Sequence, residues 1–407
     1  MSAFKASDLL IPKSQMEHWA VIACDQFTSE PEYWEQVRET VGEDASALNM
    51  IFPEVYLESE YGEKRIECIH AAMQQALQKQ LLTEYKNCYI YVERTLLDGS
   101  IRPGIVGVID LEQYDFHANA SSAIRATERT VESRIPPRMR VRKDAPLELS
   151  HVLLLCNDYT RTVIEPLREK KAELQKLYDF MLMQNGGHIA GWLVSGTVAD
   201  ELTRSLEAYE ARMRESQQGD PEKALLYAVG DGNHSLATAK SCYDAMTASD
   251  KSTSKARYAM VELENVYDDS LVFEPIHRVI TETDPENMIT ELKARIGKAG
   301  GYPLHYLVGQ EERSVEIELN GCLPVAVLQD FLDAYLLSHP GKIDYIHDRS
   351  SVEALCDGEN RIGFLLPAMN KEDLFPGIVA GGVLPRKTFS MGHAREKRYY
   401  LEARAIK

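Results

Sequence analysis

Ala224-Leu-Leu-Tyr-Ala-Val-Gly-Asp-Gly-Asn-His-Ser235 is the stretch that decides how this chain reads. Its first six residues are apolar or aromatic and form a short buried strand. Gly230 and Gly232 then turn the backbone, and Leu236, Ala239, Cys242 and Tyr243 recur at helical spacing. Strand, glycine loop and helix in that order are the building unit of an α/β protein. Glycine lets the backbone turn sharply and approach a ligand closely, and the first-turn amides of the next helix have no internal partners. A phosphate or carboxylate suits such a helix end. Asp231 would hold a divalent cation such as Mg²⁺ or accept a proton, and His234 would meet a phosphate oxygen or act as acid or base. The same residues also suit a plain capped turn, in which Asp231 or Asn233 satisfies helix amides. Neither the G-x-G-x-x-G fingerprint nor the Walker pattern is present.

Working outward, strands and helices alternate. His18 to Cys24 reads as a buried strand ending in the polar Asp25-Gln26 loop, with a helix entered near Trp34. A helical pattern over 63–82 precedes alternating Cys88 to Glu93, and further strands fall at Gly104 to Asp110 and Val152 to Cys156. Helices are expected over 164–183 and 198–216, each with one apolar face. After the polar Lys251-Ser-Thr-Ser-Lys255 break comes the strand Tyr258 to Leu263, followed by a mixed C-terminal region. The expected class is α/β (α+β) with mixed sheets, divided into a core over 1–265 and a C-terminal α+β extension over 266–407 that contributes to the same cleft.

Composition narrows the partners. Sixty-three acidic against 45 basic residues give a net charge of −18, which disfavours a nucleic-acid platform, because binding a phosphate backbone needs clustered Lys and Arg. No stretch approaches the roughly 18 apolar residues of a membrane helix, and the N-terminus lacks a signal-peptide core, so a cytoplasmic protein is expected. The seven cysteines are scattered and never form CxxC, which supports neither a disulfide framework nor a cysteine zinc site.

Against that acidic background, six arginines fall within eighteen residues: Arg125, Arg129, Arg134, Arg138, Arg140 and Arg142. Guanidinium forks match phosphate oxygens in pairs, so this arc suits a polyphosphate; equally, it suits a surface whose arginines pair with Glu128, Glu132 and other acids. Glu274, His277 and Arg278 interrupt an apolar strand, where burial demands a partner or a cleft. In the tail, His347 stands beside Asp348, and Arg386 and Lys387 follow Gly381-Gly382. No GxSxG elbow occurs and no cysteine sits beside a His motif, which leaves phosphate chemistry ahead of acyl transfer.

Taken in order, Cys24-Asp25-Gln26, Arg125-Ala-Thr-Glu128-x-Thr130 with Arg134, Asp231-Gly-Asn-His234, Glu274-Pro-Ile-His277-Arg278, Tyr345-Ile-His347-Asp348 and Pro385-Arg386-Lys387 resemble the DUF1015 family over nearly the whole chain. The central motif is also similar to the loop-helix signature of the ParB and sulfiredoxin superfamily, which implies a ParB/sulfiredoxin-like core. That superfamily includes nucleotide-binding clamps, an ATP-using sulfinic acid reductase and kinases acting on free serine. Asn233 replaces the first histidine of the commoner motif, and Ser235 stands where an arginine would contact phosphate, a place for Arg125, Arg134 or Arg278 to fill.

The expectation is an ATP- or ADP-dependent phosphotransferase acting on a small hydroxylated metabolite such as free serine. In that reading Gly230, Gly232, Asn233 and Ser235 cradle phosphates with Arg125, Arg134, His277, Arg278, Arg386 and Lys387. Asp231 helps hold Mg²⁺, His234 stabilises transferred charge, and Asp25 or Glu128 accepts the hydroxyl proton. The competing readings are a nucleotide-responsive regulatory protein without turnover and a metal-dependent hydrolase.

Overall fold

A computed structural model describes residues 2–56, 62–217, 219–385 and 387–407. The chain is an α/β protein with mixed sheets, in two compact units, one formed by 1–271 with 393–407 and the other by 272–392. Among the described residues no helix is long and apolar enough to cross a membrane.

The first unit is built on a thirteen-stranded sheet among the described residues. Successive neighbours include Ile124–Ala126, Tyr227–Asp231, Leu153–Cys156, Tyr258–Asn265, Ile101–Asp110 and Leu82–Thr95. Tyr227–Asp231 runs parallel to Ile124–Ala126 and antiparallel to Leu153–Cys156, which in turn is parallel to Tyr258–Asn265. Alternation along Tyr258–Asn265 sends Ala259, Val261 and Leu263 to one face. There they join an apolar core with Leu202 and Leu206 of helix Gly196–Ser216 and Leu236 and Ala239 of helix Asn233–Asp244. The opposite face carries Met260, which joins a second core with Ile90, Val106 and Val108.

That second face also buries charge. Glu262 meets Arg398 at 2.7 Å, Arg398 meets Glu402 at 2.8 Å, and Glu264 meets Arg102 at 2.8 Å. Ions taken out of water persist only when paired, and here Glu262 and Glu402 share the Arg398 guanidinium, whereas burial pushes the Glu264 carboxyl up despite Arg102. Gly104 makes room for one of them, since a Cβ there would stand 2.5 Å from a Glu262 carboxylate oxygen.

Two expected elements differ. The helix expected over 164–183 is a short helix, Glu165–Lys170, followed by the strand Gln175–Met181, which forms a hairpin with His188–Val194 against Leu82–Thr95. Tyr178 of that strand is buried, and its hydroxyl donates to Glu402 at 2.5 Å, so sheet pairing outweighs local periodicity. The strand expected from His18 is a single helical turn, Met16–Trp19, leading into Val21–Ile22, which pairs with Tyr399–Tyr400.

The second unit holds an antiparallel sheet ordered Glu311–Ile317, Gly297–Val308, Ile362–Leu365, His277–Thr281 and Lys342–Ile346. Leu304, Ile317 and Phe364 pack there with Leu328 and Leu332 of helix Pro324–Leu336.

Candidate functional site

The strand Tyr227–Asp231 ends half-buried, with Asp231 opposite Leu153 across a register shift. Gly232 then adopts φ +78°, a left-handed conformation natural to glycine, and precedes helix Asn233–Asp244. A Cβ on Gly232 would stand 3.1 Å from Val152 and 3.4 Å from the His151 ring, so the loop lies directly against His151. The N-cap position is Gly232, which has no side chain to cap the first turn, so the positive end of the helix dipole lies beside this loop.

Residues 127–131 clasp this loop. Thr127 Oγ1 donates to the Val229 carbonyl at 2.6 Å, and the Val131 amide donates to His234 Nε2 at 3.1 Å. Neutral His234 therefore carries its proton on Nδ1. Asp231 Oδ2 is buried and lies 3.5 Å from Lys397 Nζ, while Thr130 Oγ1 and Asn233 Oδ1 are buried with no hydrogen-bond partner among the described residues. Buried polar atoms left in that state call for a partner the folded chain does not supply.

Beside the loop lies a cavity of about 130 Å³ whose lining includes Asp25, His151, His234, Ser235 and Tyr400. His151 is buried, with Nε2 3.5 Å from Asp25 Oδ2 and Nδ1 2.5 Å from the Tyr400 hydroxyl. Tyr400 also accepts from the Cys24 amide at 3.4 Å, and Gln26 donates to Asp25 at 3.0 Å. Burial alone would drive the Asp25 carboxyl up. The charge and hydrogen bond of His151, with Gln26 and Lys397, override it and hold the carboxyl well below the usual range. For His151, burial pulls the imidazole down, and Asp25, then Asp231 and Glu54, more than offset it, leaving it raised. Each of the two groups thus favours the charged form of the other at the cavity wall. Around it, Glu54 pairs with Arg138, and Arg142 meets Glu148 at 2.8 Å.

Of the residues expected from sequence, the structure gathers Asp25, His234 and Ser235 around this cavity, with Gly230, Asp231, Gly232 and Asn233 on the adjoining loop and first turn. Glu128 is half-buried in the clasping segment and does not line the cavity. Arg125 is buried and spends its guanidinium on the Ser122 and Lys223 carbonyls, and Arg134 is exposed. His277 and Arg278 belong to the second unit. There His277 Nδ1 accepts from the Leu366 amide at 3.1 Å, and Arg278 donates to Gln329 at 3.1 Å and to the Ile276 carbonyl. Lys387 is exposed in that unit, and Arg386 lies outside the described residues.

His151, Glu54, Lys397 and Tyr400 enter from outside the expected set. His151 stood in plain view as a titratable residue just before the apolar strand Leu153–Cys156; the other three are placed by tertiary connections. Among the described residues no group of three or more His, Cys, Asp or Glu is arranged to hold a metal ion. Asp231, the carboxylate expected to help hold Mg²⁺, lies 3.5 Å from Lys397 Nζ.

The chain belongs to the DUF1015 family, described as proteins of unknown function, which matches residues 3–404. No curated protein matches it. Among solved structures it is similar to a conserved hypothetical protein from Pyrococcus furiosus, at 13% identity over 72% of this chain and 93% of that one, with a TM-score of 0.37. It is also similar to a free serine kinase in complex with AMP, at 12% identity over 74% of this chain and 90% of that one, TM-score 0.39. A C-terminally truncated SbnI from Staphylococcus aureus is similar at 8% identity over 70% and 83% of the two chains, TM-score 0.38.

Proposed function

We propose that this DUF1015 protein transfers a phosphoryl group from ATP or ADP to a small hydroxylated metabolite. One observation carries the reading: a single cavity is walled by the Asp25–His151 pair and by His234 and Ser235 from the uncapped first turn of helix Asn233–Asp244. The two parts answer the two needs of phosphoryl transfer, which are a base placed at the attacking hydroxyl and fixed positive charge around the transferred group.

In this reading the helix amides, the Ser235 hydroxyl and Lys397 bind the phosphate oxygens. Asp25, kept ionised by His151, receives the hydroxyl proton. The acceptor oxygen bonds to phosphorus as the bond to the departing nucleotide oxygen breaks, and Tyr400 fixes the far side of the His151 ring. A divalent ion arriving with the nucleotide would supply further charge neutralisation, with Asp231 as the available carboxylate. Arg125 takes no part in this reading, because it does not line the cavity and holds the Ser122 and Lys223 carbonyls instead.

The test is nucleotide binding by thermal shift, followed by nucleotide consumption with pooled hydroxylated acceptors. Acceptor-dependent consumption that His234→Ala abolishes, with the melting temperature within a few degrees, supports transfer. Nucleotide binding without acceptor-dependent consumption replaces it with a regulatory role, and a loss of stability in His234→Ala without a selective loss of nucleotide binding makes His234 structural.

A further inference from the structure

The cavity lining is of two kinds. Asp25 and His151 pair with each other beside His234 and Ser235, while Met50, Phe52, Met73 and Leu147 belong to one apolar core and are at most 9% exposed. The charges that share its wall are already neutralised in pairs, Glu54 with Arg138 and Arg142 with Glu148. A second charge brought in by a ligand would meet no free partner among those four apolar side chains and would bear the full cost of leaving water. A hydrocarbon group there would instead gain from burial in proportion to its area.

Resting on the phosphotransfer reading, we propose that the acceptor is an uncharged alcohol with a hydrocarbon body of roughly four to six carbons, since an apolar cavity of about 150 Å³ holds a benzene-sized guest. Its hydroxyl sits at Asp25 and His151, and its body among Met50, Phe52, Met73 and Leu147. A fully polar acceptor such as serine or glycerol leaves that wall unfilled and is the poorer fit.

The assignment is tested by titrating the full-length protein, with ADP present, against ethanol, propanol, butanol and isoamyl alcohol, with glycerol and L-serine as polar controls. Affinity is expected to rise about fourfold per added methylene. Met73→Trp should flatten that rise, and Met73→Ala should extend it to hexanol, so the pair of variants moves the optimum in opposite directions even if one folds poorly. Glycerol or serine binding as tightly as isoamyl alcohol, or an optimum that neither Met73 variant moves, overturns the proposal. A Met73-governed rise with no phosphorylated alcohol formed when either ATP or ADP is supplied supports the apolar seat and overturns the phosphotransfer reading instead.

Discussion

Nε2 of His151 stands 3.5 Å from Oδ2 of Asp25, and this pairing of a strand-entry histidine with a loop carboxylate sets the charge state of the candidate site. Its pH behaviour follows from the directions of the two shifts. His151 is raised above its ordinary 6.5, so its contribution to stability is complete below that value and fades as pH rises through the raised one. Asp25 is held below 3.8, so its contribution is complete above that value and fades as pH falls through the depressed one. The stability gap between wild type and Asp25→Asn should therefore be widest near pH 5, at roughly 3 kcal/mol, and should shrink toward pH 9. Urea denaturation at the two pH values checks this, and a gap that widens with pH would refute the ion pair.

The same substitution should lower acceptor-dependent turnover by about 10²- to 10⁴-fold, the usual worth of a placed base, while nucleotide affinity changes little. His151→Gln should lower it by less, because it keeps the carboxylate and loses only its positioning. Steady-state kinetics with nucleotide affinity measured separately distinguishes the two.

Glu264 behaves in the opposite sense to Asp25. Burial pushes its carboxyl up to about 8 against the pull of Arg102, with Glu262 and Asp268 adding to the rise. The folded state thus keeps a proton that the unfolded chain releases above about 4.5, and this group erodes stability as pH climbs from there to about 8. In Glu264→Gln the erosion is absent, so stability relative to wild type should move in the variant's favour between pH 5 and pH 8. A pH-independent difference would show that Glu264 ionises normally.

Gly232→Ala should cost about 1–2 kcal/mol for a left-handed non-glycine residue, with more from the 3.1 Å approach to Val152. Chemical denaturation of Gly232→Ala against wild type checks this, and an unchanged midpoint would refute the strain.

Arg125 provides a test of the assignment itself. Arg125→Leu strands two carbonyl acceptors and should destabilise the fold by roughly 1–3 kcal/mol while leaving nucleotide affinity unchanged. A selective loss of nucleotide binding at normal stability would return Arg125 to the phosphate site.

Much of the arrangement was legible in local pattern. The apolar run into Gly230-Asp231-Gly232 announced a strand, a turn and a helix, and the ordered motifs from Cys24 to Lys387 announced the family. What local pattern could not carry was partnership. Arg125 and Arg138 look alike in sequence, yet one is consumed by carbonyls and the other by Glu54. Gln175–Met181 reads as helix because its apolar spacing is ambiguous, and only the hairpin with His188–Val194 settles it as strand. A lone histidine such as His151 declares nothing in sequence until Asp25 and Tyr400 are brought beside it.

The return of residues 393–407 to the first unit has a consequence for the order of synthesis. Val21–Ile22 pairs with Tyr399–Tyr400, and the Trp19 indole donates to the Leu401 carbonyl, so the N-terminal segment emerges from the ribosome long before its partner. At about 5–20 residues per second the wait is roughly 20 to 80 s. Throughout it Lys397 and Tyr400 are missing from the site, and Glu262 still lacks Arg398. A nascent chain of this protein thus has its loop, helix and Asp25 carboxylate in hand well before Tyr400 reaches the wall of the cavity.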